Sequence, residues 1–195
     1  MSATDTLAAQ LRDVFGDRLR MVAAFGHAAH TLAIVDTVSP SDLDRCASFS
    51  PGWKKLGFPP PLLMPVQELS RALDAFPLEF TEILATRKLV AGTDLLAAVK
   101  VPIEDLRRAC EMQARGHLVH LREAYIEAAG NGKAVARLVH ASSAPFRALV
   151  ANVARLDGTN VDELISRLGL GGQTFREALT AAERLVGHVD LWGKK

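Results

Sequence analysis

The chain has 195 residues, 49% of them hydrophobic, with 23 Lys+Arg against 22 Asp+Glu and a net charge of +1. That is enough apolar material for one large domain or two small ones and too much for a disordered chain. A charge this balanced does not call for nucleic acid or an anionic membrane as partner, and two cysteines without a CxxC pair, Cys46 and Cys110, exclude a cysteine-rich zinc module.

The opening segment MSATDTLAAQLRDVFGDR carries acids and arginines where a signal peptide has its apolar centre. The longest apolar run, 21–35, is interrupted by Gly26 and two histidines, too short and too polar to span a bilayer. The expectation is a cytoplasmic, bacterial-style protein with no membrane partner. Residues 4–15 read as a helix capped by Thr4, with Leu7, Leu11, Val14 and Phe15 on one face. Residues 18–25 read as a buried strand, 26–30 as a turn, and 31–38 as a second strand rich in β-branched residues. Ser39 then suits an N-cap, Pro40 the first helical position, and Asp42 completes a capping box. This helix is expected to end near FSPGW. In the following GFPPPLLMPVQEL the prolines forbid a central strand but allow 62–64 to pair at a sheet edge. A short helix, a break at Pro77, another helix and a brief strand at 88–90 complete this half.

From about 101 the pattern becomes purely helical. Residues 103–129 place Ile103, Leu106, Cys110, Ala114, His117, Leu121 and Tyr125 on one face and Glu104, Arg108, Glu111, Arg115 and Arg122 on the other. Residues 133–156 form a second helix, kinked or split at Pro145; TNVDEL caps a third, and 173–192 form a fourth. Short connections between long helices imply an antiparallel four-helix bundle. The expected class is α+β: a small mixed β-sheet with helices over 1–98, then an all-α bundle over 99–195.

A helix, a strand, a glycine turn, a second strand and a helical bundle, in that order, resemble the nucleotidyltransferase superfamily (polymerase-beta-like and kanamycin nucleotidyltransferase-like). The phrases FGDRLRMVAAFGHAAH, FPLEFTEIL, LVAGTDLL and EMQARGHLVHLREAYI resemble a bacterial group of nucleotidyltransferase-domain proteins over roughly 11–157. The resemblance implies a Gly-Ser pair after the first strand to hold nucleotide phosphates. It also implies a D-x-D pair on the next strand and a third carboxylate on a later one, together holding Mg²⁺ for an in-line transfer. Here Gly26 is present, but His27 stands where the serine would be. The second strand carries only Asp36, near its end, and PPLLMPV carries no acid. Without clustered carboxylates Mg²⁺ has no oxygen cage.

The resemblance therefore implies the fold more than the activity. The leading expectation is a degenerate, non-catalytic member that works by binding. Gly26 and His27 would form a relict nucleotide or phosphate site without cofactor, and the bundle would serve as a protein-partner or homodimer surface. One alternative is an active Mg²⁺-dependent nucleotidyltransferase in which Asp42 and Asp44 of SDLD bind the metal. The same letters serve as a helix start, with Asp42 at the positive end of the helix dipole. A further alternative is an interaction module that uses the stripe of Lys133, Arg137, His140, Arg147 and Arg155, opposite Leu138, Phe146, Leu149 and Val153. It lacks the interleaved aromatics that stack on bases, which argues against nucleic acid. His117 and His120 lie three apart on a helix. A bundle metal site would need inward carboxylates, and Glu111 and Glu123 point away. Gly169-Leu170-Gly171-Gly172 reads as a helix-ending turn.

Overall fold

The two apolar runs flanking Gly26 become the central strands of a mixed sheet. A computed structural model describes residues 2–26 and 30–192. In chain order the first half contains α1 (Ala3–Phe15), β1 (Leu19–Phe25), β2 (His30–Val35), α2 (Pro40–Lys55), β3 (Leu62–Pro65), α3 (Leu69–Ala75), α4 (Pro77–Thr86) and β4 (Lys88–Gly92). The sheet order is β3-β2-β1-β4. β1 runs antiparallel to β2 and β4, whereas β2 runs parallel to β3. A parallel pair needs a crossover, and α2 supplies it. β3 carries Pro65 and occupies the edge, where its missing N–H breaks no ladder.

Both faces of the sheet are covered. Val22, Ala33 and Val35 share a core with Leu7, Leu11 and Phe15 of α1 and with Cys46 and Trp53 of α2. Their neighbours Met21, Ala23, Leu32 and Ile34 share a second core with Ala72 of α3, Phe80 and Ile83 of α4, and Leu96. Burial on both faces explains why β1 and β2 are continuous apolar runs rather than alternating ones.

The helix caps show how local chemistry sets the boundaries. α1 is capped by Ser2 rather than Thr4: the Ser2 hydroxyl accepts the Asp5 N–H, and the Asp5 carboxylate accepts the Ser2 N–H at 2.7 Å. Asp5 is the third helical residue only if Ser2 is the cap, so the reciprocal box closes there. α2 begins at Pro40 with Ser39 and Asp42 forming the box. It runs past FSPGW, through Pro51, to Lys55. Its last turns are held by Trp53, which is 2% exposed and whose indole N–H donates to Gln10 Oε1 of α1 at 2.7 Å.

The chain divides into two compact units, Met1–Val101 and Pro102–Lys195. The second contains α5 (Ile103–Glu127), α6 (Gly132–Leu156), α7 (Val161–Leu168) and α8 (Phe175–Val189). α5 packs on α6 and α8, and α7 packs on the same two helices. α6 is continuous through Pro145 rather than split. Pro145 is exposed, so the carbonyl it leaves without a donor can be served by water. The buried face of α5 is Cys110, Ala114, Leu118 and Leu121, whereas Ile103 and Tyr125 are exposed. Leu118 takes the central place that the sequence pattern assigned to His117, because the larger apolar side chain gains more from burial. Burial pushes the Cys110 thiol up to about 12, which leaves it unreactive. Among the described residues no helix is long and apolar enough to cross a membrane.

Asp157 ties the far end of this unit together. Its carboxylate accepts from His188 Nε2 at 2.6 Å, from Arg167 at 2.8 Å and from Trp192 Nε1 at 3.1 Å. One acid after α6 thus fastens both α7 and the end of α8. Asp157→Ala should destabilise the helical unit by about 2–3 kcal/mol, since it removes charge-assisted bonds and orphans their donors. Guanidinium unfolding followed by circular dichroism measures this, and Asp162→Ala, whose carboxylate is exposed, serves as the neutral control.

Candidate functional site

Three places bear on the chemistry implied by the sequence: the SDLD acids, the Gly26 turn and the helical unit. Asp42 is 4% exposed. Its Oδ2 accepts from Arg18 at 2.8 Å, from the Ser39 N–H at 2.9 Å and from the Ser39 hydroxyl at 2.8 Å. Its Oδ1 accepts from the other arm of the same guanidinium at 2.7 Å. Arg18 lies just before β1, so the pair links the entry of the first strand to the start of α2. The Arg18 guanidinium, and after it the Ser39 hydroxyl and N–H, hold the Asp42 carboxyl well below the usual carboxylate range. Mg²⁺ needs a carboxylate lone pair at about 2.0–2.1 Å; here four donor contacts already converge on the carboxylate and a cation is in place.

Asp44 is exposed on α2. Two residues along a helix turn through about 200°, so the carboxylates of Asp42 and Asp44 diverge. On a strand the same spacing would put both on one face. The D-x-D letters are present, but the backbone that makes them a metal pair is not.

Gly26 has φ +70°, the left-handed region that glycine tolerates. Its N–H donates to Thr86 Oγ1 at the end of α4, at 2.9 Å. The first amide after β1 is thus committed to a side chain of the same unit. His27 lies outside the described residues. His30, at the start of β2, is exposed and stacks on Phe25 with ring centroids 5.6 Å apart. Among the described residues no group of three or more His, Cys, Asp or Glu is placed to share a metal ion.

No protein-family model, curated protein or solved structure matches the chain.

In the helical unit, His117 and His120 part company. His117 is half-buried and stacks on Phe146 of α6, centroids 5.0 Å apart, and burial draws its pKa down. His120 is exposed and meets Glu123 at 3.1 Å. Lys133, Arg137, His140, Arg147 and Arg155 are all exposed on α6, whose continuity through Pro145 keeps them in phase. Arg147 contacts Asp162 of α7 at 3.2 Å, and Arg155 bonds Asn152 at 3.3 Å. The stripe therefore borders α7 as well as solvent.

The partner of Asp42 had no signal in the sequence, since Arg18 and Asp42 are 24 positions apart. Nor did the bond from Gly26 to Thr86, across 60 positions. Removing the charge tests the structural role. Asp42→Asn should destabilise the sheet unit by more than Ser39→Ala, which loses the N-cap, at about 1 kcal/mol, and one donor to Asp42 while keeping the Arg18 pair. The pH dependence follows from the sign of the shift. A carboxyl depressed in the folded state stabilises above its unfolded pKa of about 4, and that stability is lost as pH falls toward the folded value. Urea unfolding of the wild type should weaken from pH 5 downward, and Asp42→Asn should flatten that acid limb. An unchanged limb would mean the pair contributes nothing.

Proposed function

We propose that this chain is a nucleotidyltransferase-like protein that performs no phosphoryl transfer and acts by binding. Residues 1–101 are then a trimmed nucleotidyltransferase-like half, and the remainder an antiparallel four-helix bundle. The observation that carries the reading is the engagement of Asp42. It is the one buried acid of the SDLD segment, and it is neutralised by Arg18 and directed into its own helix cap. A catalytic pair would have to break that ion pair and rotate Asp44 around α2. The Gly26 amide given to Thr86 supports the same reading, because a phosphate turn uses that donor for its ligand. What remains is a fold without the acidic machinery, holding nucleotide or phosphate weakly. Its exposed helices are the surface for a protein partner or a second copy.

Calorimetric titration with ATP, GTP, CTP and UTP, each with and without Mg²⁺, tests this on the wild type and on Asp44→Asn. Asp44 is exposed, so the substitution leaves the fold intact. Any heat of binding should be the same with and without Mg²⁺ and the same in both proteins. Mg²⁺-dependent binding that disappears in Asp44→Asn would overturn the reading and restore a metal-dependent transferase. Absence of binding by all four nucleotides would narrow the function to macromolecular partners.

A further inference from the structure

The helical unit holds a cavity of about 280 Å³ to which all four of its helices contribute. It is a cleft open to solvent at Ser143, Arg147, Gly171 and Gly172, and its lining has a consistent chemistry. Phe146 of α6, Ile165 of α7 and the ring of His117 give it apolar walls, with His117 and Phe146 stacked at an interplanar angle of 27°. Among the described residues Arg147 is the only formally charged side chain that lines it, and no carboxylate does. Among the described residues Arg147 is engaged by Asp162 alone, in an exposed contact that a ligand can replace.

The glycine stretch between α7 and α8 supplies the rest of the mouth. Gly171 and Gly172 line the cavity, and neither donates its N–H to another described residue. Gly172 has to be glycine: a Cβ there would stand 2.4 Å from the Glu177 Cβ and 3.0 Å from that residue's backbone. The Glu177 carboxylate is turned away into its own cap, accepting from the Gln173 and Thr174 N–H groups at 2.9 and 3.0 Å. The helix-ending turn is thus also one rim of a pocket, with two backbone donors on it.

We propose that this cavity binds a small carboxylic acid with a flat apolar body. The body lies between Phe146 and Ile165, and the carboxylate is held at the mouth by the Arg147 guanidinium and the Gly171 and Gly172 amides. At interior packing density the space takes a ligand of on the order of 10–15 non-hydrogen atoms, the size of two fused rings and a carboxylate. A cation would meet the Arg147 guanidinium and, among the described residues, no lining carboxylate. An uncharged ligand would leave the guanidinium without a new partner. The site lies wholly within the second unit and does not depend on the fate of Asp42.

The probe is naphthalene-2-carboxylate, with naphthalene-2-carboxamide as its uncharged analogue, titrated into the full chain by calorimetry and by amide NMR. The carboxylate should bind below millimolar concentration and shift the amides of Gly171, Gly172 and His117. Arg147→Gln should weaken it roughly 10- to 100-fold, the loss expected for one charge-assisted hydrogen bond. Ser143→Leu should abolish it. Ser143 is an exposed lining residue whose hydroxyl bonds only the His140 carbonyl of its own helix, so leucine fills the space without disturbing the fold. Arg137→Gln, on the same helix but away from the cavity, should bind as the wild type does. No binding at millimolar concentration, equal binding of the carboxamide, or wild-type binding by Ser143→Leu would each overturn the proposal.

Discussion

Trp53→Ala should lower the stability of the first unit by about 3–5 kcal/mol, the cost of deleting a fully buried aromatic side chain and leaving its cavity. Trp53 is 2% exposed and sits in the core that joins α1, α2 and one face of the sheet. Phe49 stacks against it with centroids 6.2 Å apart. Its indole N–H donates to Gln10, so the substitution also strands a half-buried amide oxygen. It lies two residues beyond Pro51, where α2 has already lost a backbone hydrogen bond and depends on tertiary packing to continue. The last turns of α2 should therefore fray first. Urea unfolding followed by far-ultraviolet circular dichroism measures the loss, since the change removes one of the two tryptophans. Trp53→Phe keeps most of the ring and loses only the Gln10 bond, so it should cost about 1–2 kcal/mol. A loss below 1 kcal/mol for Trp53→Ala would mean that α2 is not anchored through this residue.

Gly92→Ala should be comparably severe, on the order of 3 kcal/mol or more, for a different reason. Gly92 closes β4 against β1 opposite Met21 and has φ +81°, which costs an L-residue about 1–3 kcal/mol by itself. An added Cβ would also lie 2.1 Å from the Arg20 carbonyl oxygen and 2.8 Å from its carbon. Those atoms belong to the backbone of a central strand and cannot swing aside. The same oxygen accepts the Thr93 N–H at 3.0 Å, so relief of the clash breaks the bond that ends the strand pair. The amide of Thr93 should exchange with deuterium faster by at least tenfold. Gly57 provides the control: it has φ +82° but open space where its Cβ would stand. Gly57→Ala should cost only the backbone strain, about 1–3 kcal/mol, with no clash added to it. Equal losses at the two glycines would mean that the contact with Arg20 carries no weight.

Element order was legible in the sequence because local chemistry writes it. Ser39, Pro40 and Asp42 start α2 as the capping box requires, and Gly169 ends α7 in the left-handed conformation expected of a glycine stop. Pro77 opens α4 rather than interrupting it, as a first-turn proline can. At the start of α1 two cap signals compete. Thr4 is a good cap residue, yet Asp5 selects Ser2. α2 ends at Lys55, close to the expected FSPGW, with Pro51 inside it and Trp53 buried beyond. The expected face of α5 carries His117 and not Leu118, yet packing buries Leu118 and leaves His117 half-buried.

The site was less legible, because its decisive facts are long-range. SDLD carries the letters of a metal pair on a helix, and the helix can be inferred from its cap. That Arg18 fills Asp42, that Thr86 takes the Gly26 amide, and that Gly171 and Gly172 share a cavity with Arg147 and His117 are products of tertiary folding. None leaves a spacing in the chain that a reader could use.

The most direct test of the central claim is a carbon-13 NMR titration of the Asp42 side-chain carboxyl, with and without Mn²⁺ as a paramagnetic stand-in for Mg²⁺. If the carboxylate belongs to Arg18 and Ser39, its resonance should stay in the ionised position well below pH 4, where ordinary aspartates protonate. It should also keep its linewidth when Mn²⁺ is added. Protonation near pH 4, or selective broadening of Asp42 together with Asp44 by Mn²⁺, would contradict the account and return the acids to a metal site.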